Sequence, residues 1–300
     1  AIRRQRQMCI RDRMYSESLV KLGKVRSEIR EIFEYGNKRK AEIGAENVFD
    51  FSIGNPSVPA PKEIDETALR LLKTADPVDI HGYTSNAGVL EVRENIAKSL
   101  NKRFDTNYTA ANIFMTIGAA AALGICFKTL VDGPEDEVIT FAPHFPEYAV
   151  YAQGAGCRLK VISADTRAFQ INFKELEETI NEHTKAILIN SPNNPSGVVY
   201  SRETIEKLAA LLEKKQKEYG HSIYIISDEP YREIAYDGFE VPYVPHFYNN
   251  TLVAYSFSKS LSLPGERIGY IVAPNEAEDF EQLLPAFIAS ARLLSYVLSL

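Results

Sequence analysis

Ser256-Phe257-Ser258-Lys259-Ser260-Leu261-Ser262-Leu263-Pro264-Gly265-Glu266-Arg267-Ile268-Gly269 sets one lysine among small hydroxyl and apolar residues, with an arginine further along the same segment. Apolar neighbours without an adjacent carboxylate weaken hydration of the Lys259 ammonium. Its pKa therefore falls, and neutral amine becomes available to attack a carbonyl. Ser256, Ser258 and Arg267 offer hydroxyls and a guanidinium of the kind that holds a phosphate. The segment thus suits an aldehyde that also carries a phosphate group.

Elements able to position such a lysine recur from Asn112 onward. Short β-rich runs occupy Ile113–Ile117, Glu137–Phe141, Arg158–Ile162, Ala186–Asn190, Ser222–Ser227, Thr251–Tyr255 and Ile268–Ala273. Amphipathic segments such as Phe173–Asn181 and Arg202–Tyr219 lie between them. This alternation predicts a doubly wound α/β sheet. Runs that are apolar throughout, such as Ile223-Tyr224-Ile225-Ile226, predict strands covered by helices on both faces. Glu17–Ala41, Glu63–Leu72 and Leu90–Lys102 read as further helices, and Phe51 to Pro61, rich in proline, reads as a hinge. Ligands of such sheets sit beyond the carboxyl ends of the strands, so chemistry-bearing residues are expected just after them.

Several are found there. Asp228 directly follows a strand in Ser227-Asp228-Glu229-Pro230-Tyr231, where an N-cap aspartate would look the same. Tyr231 follows it, a place that a core tyrosine also fills. Asn190-Ser191-Pro192-Asn193-Asn194-Pro195-Ser196-Gly197 is an irregular loop or a tight Asn-Pro turn. Thr116-Ile117-Gly118-Ala119-Ala120-Ala121-Ala122-Leu123 runs from a strand into an alanine-rich helix, whose first N–H groups could face an anion or simply pack closely on the sheet. Phe141-Ala142-Pro143-His144-Phe145-Pro146-Glu147-Tyr148 offers aromatic surface, with His144 read as a loop histidine.

Taken in order, these segments resemble the class I/II, fold-type I aminotransferases, a family that uses pyridoxal 5'-phosphate, over about Met14 to Ala291. The resemblance implies a three-layer α/β/α sandwich with a mostly parallel seven-stranded sheet, plus a partial small domain. It implies catalytic roles for Lys259, Asp228 and Tyr231, with the cofactor joined covalently to the Lys259 amine, Asp228 on the pyridine nitrogen and Tyr231 on the phenolic oxygen. Asn194 would touch that oxygen and lie near the substrate carboxylate. The backbone at Gly118, Ala119 and Ala120, with Ser256, Ser258 and Arg267, would take the phosphate, and Phe145 would stack on the ring. Many relatives carry a hydroxyl residue in the 118–120 loop, and here one phosphate contact is missing. Tyr83, in His81-Gly82-Tyr83-Thr84, matches a tyrosine that reaches a neighbouring subunit's phosphate, which implies a homodimer. Gly54 and Asn55 match the strip that closes over the substrate carboxylate.

The expected activity is transfer of an amino group between an L-amino acid and a 2-oxo acid. A carbon–sulfur lyase on the same scaffold, a cofactor-domain ligand sensor and an inactive fragment remain alternatives. The family's arginine for the α-carboxylate is expected beyond this chain, and Arg292, on an expected helix over Phe287–Leu300, is a poor substitute. Arginine-rich residues 1–13 match no targeting pattern and read as a non-native leader before Met14. The expected organisation is residues 14–60 as the N-terminal helix and hinge of a small domain and 61–300 as the cofactor domain, with the rest of the small domain absent.

Composition agrees with a globular enzyme: 45% hydrophobic and 25% charged residues. A net charge of -6 argues against a general nucleic-acid binder, and no run is long and apolar enough to span a bilayer. Cys9, Cys126 and Cys157 lack the spacing of a disulfide framework or zinc site, and no His pair sits at i, i+4, so no metal is expected. A reducing cytoplasm is the expected location.

Overall fold

A computed structural model describes residues 15–24, 28–52, 54–164 and 168–295. Residues 1–13, read as a leader, lie outside the described residues, as do Met14 and the last five positions of the expected C-terminal helix. The chain divides into two compact units, Ala1–Pro56 and Ser57–Leu300. Among the described residues no helix is long and apolar enough to cross a membrane.

In the first unit, the span expected as one helix holds two described helices, α1 (Glu17–Lys24) and α2 (Glu28–Ile43). An ion pair from Lys40 Nζ to Asp50 Oδ2, 2.8 Å, ties the end of α2 to the segment after it.

The second unit opens with α3 (Lys62–Thr74), α4 (Pro77–His81) and α5 (Leu90–Phe104). Sequence makes the start of α4: Asp76 accepts the Val78 N–H at 2.8 Å, and Pro77 occupies a first-turn position where its missing N–H costs nothing. The sheet follows, as β1 (Ile113–Thr116), α6 (Ala119–Leu130), β2 (Glu137–Phe141), α7 (Glu147–Ala155), β3 (Arg158–Ile162), α8 (Phe173–Thr179), β4 (Thr184–Asn190), α9 (Arg202–Tyr219), β5 (Tyr224–Asp228), β6 (Thr251–Ser256), α10 (Phe257–Ser260), β7 (Gly269–Val272) and α11 (Phe280–Leu293).

The seven strands lie in the order β1-β7-β6-β5-β4-β2-β3. All neighbours are parallel except β7, which runs antiparallel to both β1 and β6. Both faces are covered, as the apolar runs require. Leu188 and Ile226 belong to a cluster with Phe127 of α6 and Phe287 of α11, while Ile187, Ile189 and Ile225 join Leu208 and Leu212 of α9. This is period-two alternation with both phases apolar, so each face of β4 and β5 meets helices.

The C-terminal helix begins at Phe280, not at Phe287. Pro285 lies inside it, within the first two turns, and its missing N–H and the charge at Glu281 hide the helix from a periodicity reading.

Candidate active site

Three parallel strands end side by side at the residues singled out by the sequence. Asn190 closes β4, Asp228 closes β5, and their Cα positions are paired in register. Asn190 Nδ2 donates to the Asp228 carbonyl at 2.8 Å, and Asn190 Oδ1 accepts the Asn194 N–H at 2.6 Å. The loop carrying Asn194 is thereby fastened over the end of β5. Asn194 Nδ2 then donates to Tyr231 Oη at 3.2 Å.

At the end of β6, Ser256 caps the short α10, its Oγ accepting the Ser258 N–H at 3.2 Å and sharing a hydrogen bond with Ser258 Oγ at 2.7 Å. Lys259 stands in this turn. A cavity of about 210 Å³ opens here, lined by Ala119, Ala120, Phe145, Asn194, Asp228, Tyr231, Ser256, Ser258, Lys259 and Arg267. It is smaller than the roughly 300–1,000 Å³ typical of drug-sized ligand sites and suits one compact ring. Leu123, Tyr151, Pro230 and Pro264 complete the wall. A larger cavity, about 890 Å³, opens among residues of α5, α9 and the 239–247 segment, and none of the sequence-predicted residues lines it.

Charge is distributed unevenly around the smaller cavity. Burial pushes the Lys259 amine below the ordinary lysine value, the direction a carbonyl-attacking amine needs. Burial pushes the Asp228 carboxyl up to about 7; the Tyr148 hydroxyl, donating to Oδ2 at 2.6 Å, opposes this, and Glu229 adds to it. Asp228 Oδ1 is buried and has no hydrogen-bond partner. An unsatisfied oxygen on a buried carboxyl calls for a donor, and a protonated ring nitrogen would supply one. Tyr231 is raised by burial and by the Asp228 charge, with the Asn194 amide opposing, so its hydroxyl keeps its proton to donate.

The corner toward α6 suits an anion. Gly118 adopts φ 88 as the N-cap, with no side-chain hydrogen bond to the first turn. The backbone angle favours glycine, and a Cβ at position 118 would stand 2.7 Å from Arg267 Nη2 and displace that guanidinium. Gly118 itself does not line the cavity; it makes room for Arg267. That guanidinium is held by Nη1 donating to the Pro264 carbonyl at 3.0 Å and Nη2 to that of Ile117 at 3.3 Å. Gly269 is demanded by packing, since a Cβ there would fall 2.4 Å from the Tyr255 carbonyl.

Of the remaining expected residues in the second unit, Tyr83 and Arg292 do not line this cavity. Tyr83 is 99% exposed and lines no part of the cavity. Gly54 and Asn55 belong to the first compact unit. Arg292 is exposed on α11 and is likewise absent from the wall. His144 joins its Nδ1 to the Phe145 carbonyl at 3.0 Å and stacks on Tyr148 with centroids 5.9 Å apart, a structural arrangement.

Sequence reasoning gave no role to Asn190, Tyr148 or the pair Glu229–Arg232. Glu229 Oε1 accepts from Ser227 Oγ at 2.7 Å and Oε2 from Arg232 Nε at 2.6 Å, both side chains being buried. Arg232 also donates to the carbonyls of Val241 and Pro242 at 2.9 and 3.1 Å and lies over the rings of Phe104 and Tyr243. The pair clamps the residues on either side of Tyr231. Arg232→Ala leaves Glu229 charged and buried, and is expected to cost about 3–5 kcal/mol. Urea unfolding followed by circular dichroism checks this, and an unchanged midpoint would contradict it.

The chain belongs to the class I and II aminotransferases, whose family model matches residues 46–299. It is 36% identical over 249 residues to an aspartate aminotransferase of Thermotoga maritima, covering 82% of this chain and 63% of that one. It is 31% identical to a probable N-acetyl-LL-diaminopimelate aminotransferase of Bacillus subtilis, covering 82% of this chain and 61% of the other. A crystal structure of an aminotransferase from Eubacterium rectale superposes with a TM-score of 0.93 at 56% identity, over 96% of this chain and 72% of that chain. The chain spans about three fifths of the length of these curated relatives. The family's cofactor is pyridoxal phosphate, and the residues present fit it. An unpartnered buried carboxyl oxygen, a half-buried amine of lowered pKa and a guanidinium beside an uncapped helix start share one cavity wall.

Proposed function

We propose that this protein is a pyridoxal phosphate-dependent aminotransferase, moving an amino group between an L-amino acid and a 2-oxo acid. The observation that carries this reading is that the Lys259 amine and the Asp228 carboxyl line the same compact cavity at the carboxyl ends of parallel strands. The aminotransferase names of its relatives support it as well.

When bound, the cofactor supplies an electron sink for the charge that develops at the substrate α-carbon. The chain's own groups do the rest. Lys259 Nζ would hold the cofactor by its aldehyde group and, freed when the substrate amine takes its place, would serve as the base for the substrate's α-proton. Asp228, with Oδ1 left without a partner, would hold a proton on the ring nitrogen. Tyr231, steadied by Asn194, donates to the phenolic oxygen, and Phe145 covers the ring. Ser256, Ser258, Arg267 and the first N–H groups of α6 hold the phosphate. Asn194 meets the substrate carboxylate, and Tyr83 serves the phosphate of a second copy in a homodimer. The working compartment is the cytoplasm, where Cys126 and Cys157, free thiols here, stay reduced.

The test is a panel of aspartate, alanine and aromatic donors, each supplied with 2-oxoglutarate and pyridoxal phosphate. Glutamate is expected to accumulate with at least one donor, together with the matching 2-oxo acid. Pyruvate release from cystathionine with no 2-oxo acid added, and no glutamate from any donor, would overturn the reading in favour of a lyase.

A further inference from the structure

Tyr148 has no part in the chemistry above, yet its side chain is committed to it. The residue is 1% exposed in the first turn of α7, wedged between His144, stacked at 5.9 Å, and Phe145, edge-on at 5.8 Å. Its hydroxyl donates to Asp228 Oδ2 at 2.6 Å. The other oxygen, Oδ1, makes no hydrogen bond. We propose that Tyr148 is a positioning residue that occupies one Asp228 oxygen, leaves the other to meet the cofactor's ring nitrogen, and holds the carboxyl in its ionised form. The identity of that ring rests on the proposed function.

The neighbours of Asp228 explain why this donor matters. Glu229 is another negative charge, already spent on Ser227 and Arg232. The Cys126 thiol of α6 is pushed up by burial and by Asp228, so it stays neutral and adds no further negative charge. Tyr231 accepts the Asn194 amide, and Lys259, on the same cavity wall, is moved toward its neutral form. Among the described residues, Tyr148 is the donor that answers the Asp228 charge. Burial and Asp228 also raise the Tyr148 phenol well above the ordinary tyrosine value, so it remains a donor at working pH. A hydrogen bond to the anion favours that anion, so its loss draws a shared proton from the ring nitrogen toward the carboxyl.

The experiment follows the Asp228 carboxyl by infrared difference spectroscopy against pH in the ligand-free protein, using Asp228→Asn to assign the band. Tyr148→Phe is expected to raise its titration midpoint by about one unit and to weaken pyridoxal phosphate binding about tenfold by equilibrium titration. Site-specific 3-fluorotyrosine at position 148, a more acidic donor, is expected to lower the midpoint. A packing defect would not move the two variants in opposite directions. Midpoints equal to wild type in both variants would overturn the proposal. Opposite shifts in a protein that takes up no pyridoxal phosphate would sink the proposed function and leave the Tyr148–Asp228 coupling standing.

Discussion

Lys259→Ala is expected to lower kcat/KM by about 10,000-fold or more while leaving the fold intact. On the proposed mechanism the substitution removes both the amine that anchors the cofactor and the base that moves the α-proton, and general base catalysis alone contributes roughly 100- to 10,000-fold. Structure argues that stability is spared. Lys259 sits half-buried in the four-residue α10 and forms no part of the apolar clusters. A change of less than about 1 kcal/mol moves the melting temperature by only a few degrees. Stopped-flow or coupled assays beside a thermal melt decide the matter, and a folded variant with near-normal turnover would remove Lys259 from the mechanism.

Asp228→Asn should produce opposite effects on activity and on ligand-free stability. A neutral amide cannot favour a proton on the ring nitrogen, and loss of one such electrostatic partner costs about 100- to 1,000-fold in kcat. In the ligand-free protein, however, the buried carboxyl is a liability. Its folded value of about 7 exceeds the ordinary 3.8, so its contribution to stability is fully present below 3.8 and is lost as pH rises through 7. The substituted amide has no such titration. The variant should therefore gain on wild type as pH rises from about 4 to 7, and the gain should level off above that. Chemical denaturation at several pH values reads this directly. A stability difference independent of pH would show that Asp228 already titrates normally.

How much of this was legible beforehand depends on which physical signal each feature carries. Strands such as Glu137–Phe141 and Arg158–Ile162 were readable to the residue, because β-branched runs between helical segments have few alternatives. The reversed direction of β7 was not. Gly269–Val272 is apolar at nearly every position, buried throughout, and reads the same either way round. Ten of the residues expected at the cofactor share one cavity wall: nine lie at or just past a strand's end or at the start of the helix or turn that follows it, while Arg267 precedes the antiparallel β7. Tyr148 escaped because its meaning lies in a contact with Asp228 across 80 positions, which no local pattern encodes. Gly118 was visible as a helix start, but its positive φ and its closeness to the Arg267 guanidinium were not. Tyr83 lies outside the cavity, and its expected role rests on a second copy.

Central to all of this is the claim that the Lys259 amine is the group that captures a phosphorylated aldehyde beside Asp228. The direct test is to incubate the protein with pyridoxal phosphate, reduce with borohydride, digest, and locate the added mass. The account predicts a phosphopyridoxyl group on Lys259 alone, with none trapped in Lys259→Ala; modification spread over surface lysines such as Lys102, with Lys259 unmodified, would contradict it.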